Sequence, residues 1–420
     1  MSKQSDIWSE SLCYVAQSDI GMRRSNNQDA FVVVLSAGAE EWYERGHTFT
    51  VADGMGAHAA GELASKLAVD TLPHTYRKLL QLSPPDALRA AIQEANSLIH
   101  ARGQSSADFH GMGTTCSSLV LLPQGALIGH VGDSRVYRLR NHLLEQLTFD
   151  HSLVWEMEVA RKASRSAVQL NVPKNVITRS LGPHPKVQID LEGPFPIAVG
   201  DKYLLCSDGL SGPIEDDEIA ALLDCLPIDE ALQTMVDLAN LRGGPDNITA
   251  IVLEITGSQL ATGSSVAVRT TGKTAGVHPA VWAAVGAGLV IAMLLLVIGN
   301  VPAAVISALV ALAVGGIGLF SKLAGSTPST GEMLDGLLGD GPYRRYNAAA
   351  SLAFVAKLAE LTESLDATAR EQLADHVVAS ISDEAERAAT SLSAGDMDAA
   401  LSQYARTIRR MMQAFRDARE

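Results

Sequence analysis

Three times in its first 210 residues this chain runs a short apolar stretch into an aspartate set beside glycine. The segments are Val51-Ala52-Asp53-Gly54-Met55-Gly56, His130-Val131-Gly132-Asp133-Ser134-Arg135 and Leu205-Cys206-Ser207-Asp208-Gly209. A fourth aspartate, Asp246, stands in the glycine-rich turn Gly243-Gly244-Pro245-Asp246-Asn247, just ahead of another apolar run. One Asp-Gly pair is an ordinary turn. Repetition at strand ends is a tighter constraint, because strands that share a sheet bring their ends to one place, and glycine lets the backbone come close to whatever sits there. Four aspartates without Cys or His at ligand spacing form a hard, all-oxygen donor set, which suits Mg²⁺ or Mn²⁺ better than Zn²⁺.

The surrounding pattern predicts an α+β fold. β-type runs are expected over residues 12–16, 30–35, 47–52, 116–122, 126–130, 135–140, 187–191, 202–207 and 248–255, with helices over 60–80, 84–101, 152–163, 217–225 and 228–241. The runs from Cys116 to Arg140 follow one another at hairpin spacing, which favours antiparallel pairing over βαβ winding. The expected architecture is therefore an antiparallel β-sandwich flanked by helices.

Beyond residue 256 the composition changes. Residues 257–279 are rich in Gly, Ser, Thr and Ala and read as a flexible linker. Val281 to Phe320 carries no charge, and Gly299-Asn300-Val301-Pro302 divides it into two apolar stretches. This predicts two transmembrane helices in a hairpin over 280–321, with membrane contact through 281–320. Arg269, Lys273, Lys322, Arg344 and Arg345 flank the run and would put both ends in the cytoplasm. The expected location is thus the inner or plasma membrane, multi-pass, with residues 1–256 and the C-terminal part cytoplasmic. After a second linker, 322–344, the segment 345–420 shows three amphipathic stretches, with Asp396 as an N-cap, and predicts a helical domain.

A formal charge of -14, with no basic block, excludes a nucleic-acid-binding role. Cys13, Cys116, Cys206 and Cys225 are scattered, as in a reducing compartment. Met1 to Glu10 is polar and lacks the apolar core of a cleavable signal peptide.

Near the N-terminus, Gly21-Met22-Arg23-Arg24-Ser25-Asn26-Asn27-Gln28-Asp29 sets cations beside an acid. An arginine next to a carboxylate-bound metal suits an anionic, fork-shaped ligand such as phosphate. Arg24 through Asp29, Asp53-Gly54-Met55-Gly56, Gly113-Thr114-Thr115, Gly132-Asp133-Ser134-Arg135, Ser207-Asp208-Gly209 and Asp246-Asn247 stand in one order over about residues 11–255. In that order and spacing the chain resembles the metal-dependent protein phosphatases of type 2C, in their bacterial form.

The resemblance implies a sandwich of two antiparallel sheets with two or three Mn²⁺ or Mg²⁺ ions at one end. It implies that Asp53 bridges two metals and that the Gly54 carbonyl binds one of them. Asp208 and Asp246 would complete the first site, and Asp133 with Asp208 would hold a third ion. Arg24 would grip the phosphate, Asp29 would sit near the metals through water, and Asn247 would support Asp246. The implied reaction is attack of a metal-bridging hydroxide on phosphoserine or phosphothreonine in proteins, within a Ser/Thr kinase pathway. Residues 150–180 would form a flap beside the cleft. Met55 stands where some relatives carry a histidine acid, which leaves His58 or a metal-bound water as candidates; Gln28 replaces a common acid, and Ala57 a common glycine. Two other functions fit the same residues, a catalytically weak membrane scaffold and a small-molecule phosphoesterase. The sequence does not specify an oligomeric state.

Overall fold

The computed structural model describes residues 8, 10–57, 59–161, 176–262, 292–295, 298, 307 and 338–418. The chain divides into two compact units, Met1–Ser265 with Gly336–Glu420, and Val266–Asp335. In the first unit the strands are β1 Leu12–Asp19, β2 Asp29–Val34, β3 His47–Met55, β4 Gly113–Thr114, β5 Cys116–Leu122, β6 Gly125–Val131, β7 Arg135–Arg140, β8 Leu143–Gln146, β9 Asp190–Phe195, β10 Lys202–Cys206, β11 Ile248–Ile255 and β12 Arg344–Asn347. The helices are α1 Ala39–Arg45, α2 Ala60–Lys78, α3 Pro84–Gln104, α4 Leu153–Arg161, α5 Asp208–Ser211, α6 Asp216–Cys225, α7 Ile228–Leu241, α8 Leu352–Gln372, α9 Asp375–Ser393 and α10 Met397–Asp417.

Alternating side chains explain the layers. One sheet runs β1-β11-β10-β7-β8-β12 and the other β2-β3-β5-β6-β9, with β4 on β3, and every pairing is antiparallel. Phe49, Val51, Leu119, Leu121 and Ile128 from one sheet meet Val136, Tyr203, Leu205, Ile251 and Leu253 from the other in a core between them. The opposite set on β3, β5 and β6, including Ala52, Val120, Leu127 and Val131, packs under α2 and α3. On the far side, Tyr137, Leu204, Cys206, Ala250 and Val252 lie under α6 and α7. This is the flanked antiparallel sandwich that the period-two pattern predicts.

The three C-terminal helices continue that last layer. Phe354, Val355 and Leu358 of α8 and Leu401, Tyr404 and Ile408 of α10 join one apolar cluster with α6 and α7. Strand β12 adds itself to β8, pairing Arg344 with Gln146 and Asn347 with Leu143. Asp396 caps α10 by accepting the Ala399 N–H at 3.1 Å. The helical appendage is therefore packed on the sandwich, and its entry strand belongs to the sheet.

The expected membrane hairpin requires correction. Among the described residues no helix is long and apolar enough to cross a membrane, which does not support membrane contact through 281–320 or a multi-pass location. Most of 280–321, and much of the expected linkers 257–279 and 322–344, lie outside the described residues. The described chain leaves and rejoins the body at neighbouring points. Thr262 donates its N–H to Ile197 O at 2.9 Å, and Gly193 donates its N–H to Leu338 O at 3.0 Å.

Candidate metal centre

The site lies where β3 and β10 end and where β7 and β11 begin. Asp53 sits directly opposite Asp29 in the β2–β3 pair. Its backbone is fixed by two threonines on the adjacent strands: the Asp53 N–H donates to Thr115 Oγ1 at 2.8 Å, and Thr114 Oγ1 and the Thr115 N–H both donate to Asp53 O at 2.8 Å. Thr115 Oγ1 also lies 2.7 Å from Ser134 Oγ, tying this corner to the Asp133 turn. Gly54 is dictated by close approach, because a Cβ there would lie 2.2 Å from Gly61 O and 2.4 Å from Gln28 O. Gly132 adopts φ +115°, and a Cβ would meet Thr115 at 2.6 Å. These two glycines let the turns that carry Asp53 and Asp133 fold against α2 and Thr115.

Asp208 opens α5, and Ser207 just before it donates its hydroxyl to Asp29 Oδ2 at 2.8 Å. Asp246 is gripped by Arg24, whose Nη2 lies 2.6 Å from Oδ2, and it accepts the Asn247 N–H at 2.9 Å. The buried Asn247 side chain acts as a staple: Oδ1 accepts the Gln28 N–H at 2.8 Å, while Nδ2 donates to Ile20 O and Asn26 O, each at 2.9 Å. It thereby shapes the loop that presents Arg24, a role beyond the support of Asp246 expected from the sequence.

The acids act on one another electrostatically. Burial pushes Asp53 well above the usual carboxylate range, and the charges of Asp29, Asp208, Asp133 and Asp246 add to it. Burial and then Asp208 and Asp150 do the same to Asp133, against the opposing pull of Arg135. Asp208 is raised by burial and Asp246, although it accepts a hydrogen bond from Asp53. Burial brings Asp29 up to about 7 despite hydrogen bonds from Ser207 and Thr249. Mutual repulsion of this kind favours either protons or a cation between the carboxylates.

Among the described residues no three His, Cys, Asp or Glu side chains stand close enough together to hold a cation as they are. The donor set nevertheless fits one. Asp133 Oδ1 and Asp208 Oδ1 are buried without any hydrogen-bond partner, a costly condition that a divalent ion would relieve. The sequence-expected ligands Asp53, Asp133, Asp208 and Asp246 are thus brought into one field, with Arg24 at its rim and Asp29 beside it. His58 lies outside the described residues.

A second network was not legible in the sequence. His151 Nδ1 accepts the Gly132 N–H at 3.0 Å, and its own N–H donates to Gly132 O at 2.7 Å. With Nδ1 an acceptor, Nε2 carries the proton and donates to Asp190 Oδ2 at 2.8 Å; Asp190 also pairs with Arg179 at 2.9 Å. His151 thus locks the backbone that carries Asp133. Only the Asp150-His151 pair at the end of the β8 hairpin could have signalled it, and its partner lies 39 residues away.

Known proteins resemble this arrangement. A family model described as protein phosphatase 2C matches residues 22–243. A putative protein phosphatase 2C-type of Streptococcus pyogenes is 40% identical over 238 residues, which is 56% of this chain and 93% of that protein. The serine/threonine phosphatase stp of Listeria monocytogenes is 35% identical over 243 residues, 57% of this chain and 94% of that protein. Among solved structures, the Mycobacterium tuberculosis serine/threonine phosphatase PstP/Ppp superposes with a TM-score of 0.52 at 34% identity, covering 59% of this chain and all of that one.

Proposed function

Since this chain belongs to the protein phosphatase 2C family, we propose that it is a metal-dependent serine/threonine protein phosphatase working through the aspartate cluster at the strand ends, in a pathway driven by a Ser/Thr kinase. What supports this reading is that Asp29, Asp133, Asp208 and Asp246, from separate segments, all act electrostatically on Asp53, while Asp133 Oδ1 and Asp208 Oδ1 are buried with no hydrogen-bond partner among the described residues.

Asp53, Asp208 and Asp246, with the Gly54 carbonyl, would hold a pair of Mn²⁺ or Mg²⁺ ions, and Asp133 with Asp208 a third. Bound divalent ions supply Lewis acidity and an activated water at neutral pH. Arg24 keeps one guanidinium edge on Asp246 while nearly half of its side chain remains exposed. It can therefore turn its remaining N–H groups to the equatorial oxygens of a phosphoryl group, where charge accumulates in the transition state. Asn247 fixes the loop from which Arg24 reaches, and Thr114, Thr115 and Gly54 fix the Asp53 backbone, so the site pays little reorganisation on binding.

The test is Mn²⁺-dependent hydrolysis of a phosphothreonine peptide and of an aryl phosphate. We expect activity with both, preference for the peptide, loss on chelation and loss in Asp208→Ala. Hydrolysis that persists at the wild-type rate in Asp208→Ala would overturn the assignment.

A further inference from the structure

The phosphatase match does not extend to residues 338–418: the family match ends at residue 243, and the Streptococcus match already uses 93% of that protein. Among the contacts of the appended segment with the sandwich, one leads toward the aspartate cluster. β12 lies along β8, the last strand before α4. Its first residue, Arg344, lays its guanidinium over the Trp155 ring of α4, 3.5 Å from the centroid, and pairs with Glu158 one turn further on. Trp155 is 4% exposed, and the Arg135 guanidinium lies 5.9 Å from the same ring.

Arg135 is the next link. It donates to Asp150 at 2.8 Å, to Tyr137 Oη at 2.9 Å and to Asp216 at 3.1 Å, two residues along the chain from Asp133. Flanking contacts support the same joint. Tyr343 stacks edge-on to Phe149 at 5.4 Å, Phe149 to Trp155 at 5.6 Å, and the Tyr343 N–H donates to Gln146 O at 2.9 Å. α4 is thus held from the appended side by a cation stack and an ion pair, and from the catalytic side by Arg135.

We propose that Arg344 is a positioning residue for the phosphatase site, supplied by the appended segment: through Trp155 and Glu158 it pins α4, and through Arg135 it steadies the turn that carries Asp133. The appended helices are then part of the working enzyme, because their entry strand sets the rigidity of one wall of the metal centre. The effect on catalysis rests on the phosphatase reading above, whereas the effect on α4 does not.

The experiment compares full-length wild type with Arg344→Ala, Arg344→Lys and, as a control on a distant contact of the same appendage, Arg406→Ala, which removes only the pair with Glu230. Amide hydrogen exchange over residues 153–161 is read first. We expect it to speed up about tenfold in Arg344→Ala, less in Arg344→Lys, which keeps the charge but lacks the flat face, and not at all in Arg406→Ala. The Mn²⁺ concentration for half-activation should rise about three- to tenfold in Arg344→Ala with kcat at saturating metal within about twofold, a split that general loss of stability would not give. Unchanged exchange in both Arg344 variants, or an equal change in Arg406→Ala, overturns the proposal. Should wild type lack Mn²⁺-dependent hydrolysis, the functional reading fails while the exchange result still decides whether Arg344 pins α4.

Discussion

Two parts of this molecule are rich in buried carboxylates, and they treat them in opposite ways. Where the appended segment meets the sandwich, four acids have cations: Glu218 pairs with Arg242 and Lys357, Glu230 with Arg406, Asp237 with Arg416, and Glu145 with Arg138 and Arg345. At the strand ends, Asp53 feels the charges of Asp29, Asp133, Asp208 and Asp246, with Arg24 paired to Asp246 and Arg135 near Asp133. The first region uses charge to fix a docking geometry. The second leaves its charge uncompensated, and such repulsion is tolerated where a ligand is meant to relieve it.

The largest separation between the two comes from removing one acid of the uncompensated set. Asp208→Asn should lower Mn²⁺-dependent hydrolysis by at least about a thousandfold. In chelator the same variant should melt about 1–2 °C higher than wild type, as a repulsion worth roughly 1 kcal/mol disappears. Thermal melts with and without metal read both halves, and a lower melting temperature in chelator would break the comparison.

The reverse substitution in the paired region should be costly for stability and quiet for chemistry. Arg416→Ala leaves Asp237, which is 1% exposed, with only the Gln233 amide at 3.0 Å. Because Arg416 is itself 43% exposed, the expected loss is about 2–3 kcal/mol, below the range for a fully buried pair. Denaturant unfolding measures it, and kcat with saturating Mn²⁺ should stay within about twofold of wild type.

The regions should also titrate in opposite senses. Burial raises Asp29 to about 7, from 3.8, so the folded protein holds a proton that the unfolded chain has lost. Its contribution to metal-free stability is complete below 3.8 and disappears as pH rises through about 7. Glu218 goes the other way. Burial would raise it, but the hydrogen bond and charge of Arg242, with Lys357, hold it below 4.5. Its contribution is present above 4.5 and fades as pH falls through the lowered value. Stability in chelator from pH 3 to 8 should therefore fall at both ends, and Mn²⁺ should remove only the upper decline. The smallest effect belongs to the helix cap: Asp396→Ala should cost about 1 kcal/mol, seen as a shift in unfolding midpoint without change in activity.

What the sequence made legible follows the same division. Strands 116–122, 135–140 and 248–255 could be placed because their apolar residues alternate or run unbroken, and the aspartates could be grouped because each stands at such a strand's end. β8, β12 and α1 could not. Leu-Leu-Glu-Gln and Arg-Arg-Tyr-Asn are four residues long and mostly polar, and they become strands through backbone pairing with each other and with β7. Ala39–Arg45 is a seven-residue helix anchored by the buried Trp42 and by Arg45, whose guanidinium donates to Leu79 O and Leu82 O, contacts with no periodic signal. The appended helices were visible by their 3.6-residue period, but amphipathicity says only that one face is covered, so the sandwich as the covering surface emerged from the fold. His151 and Asp190 carry no periodic signal at all, since their meaning lies in a hydrogen bond between distant segments.

The anchoring of Thr262 at Ile197 and of Leu338 at Gly193 has a topological consequence. Four residues of extended chain span no more than about 14 Å, so the polypeptide departs and comes home through what amounts to a single doorway. The segment 263–337 joins Thr262 to Leu338 in the sequence. Cutting it away and bridging the gap with a short Gly/Ser splice should leave sandwich, β12 and terminal helices assembled, because a loop between near neighbours adds little to the entropy of closing the fold.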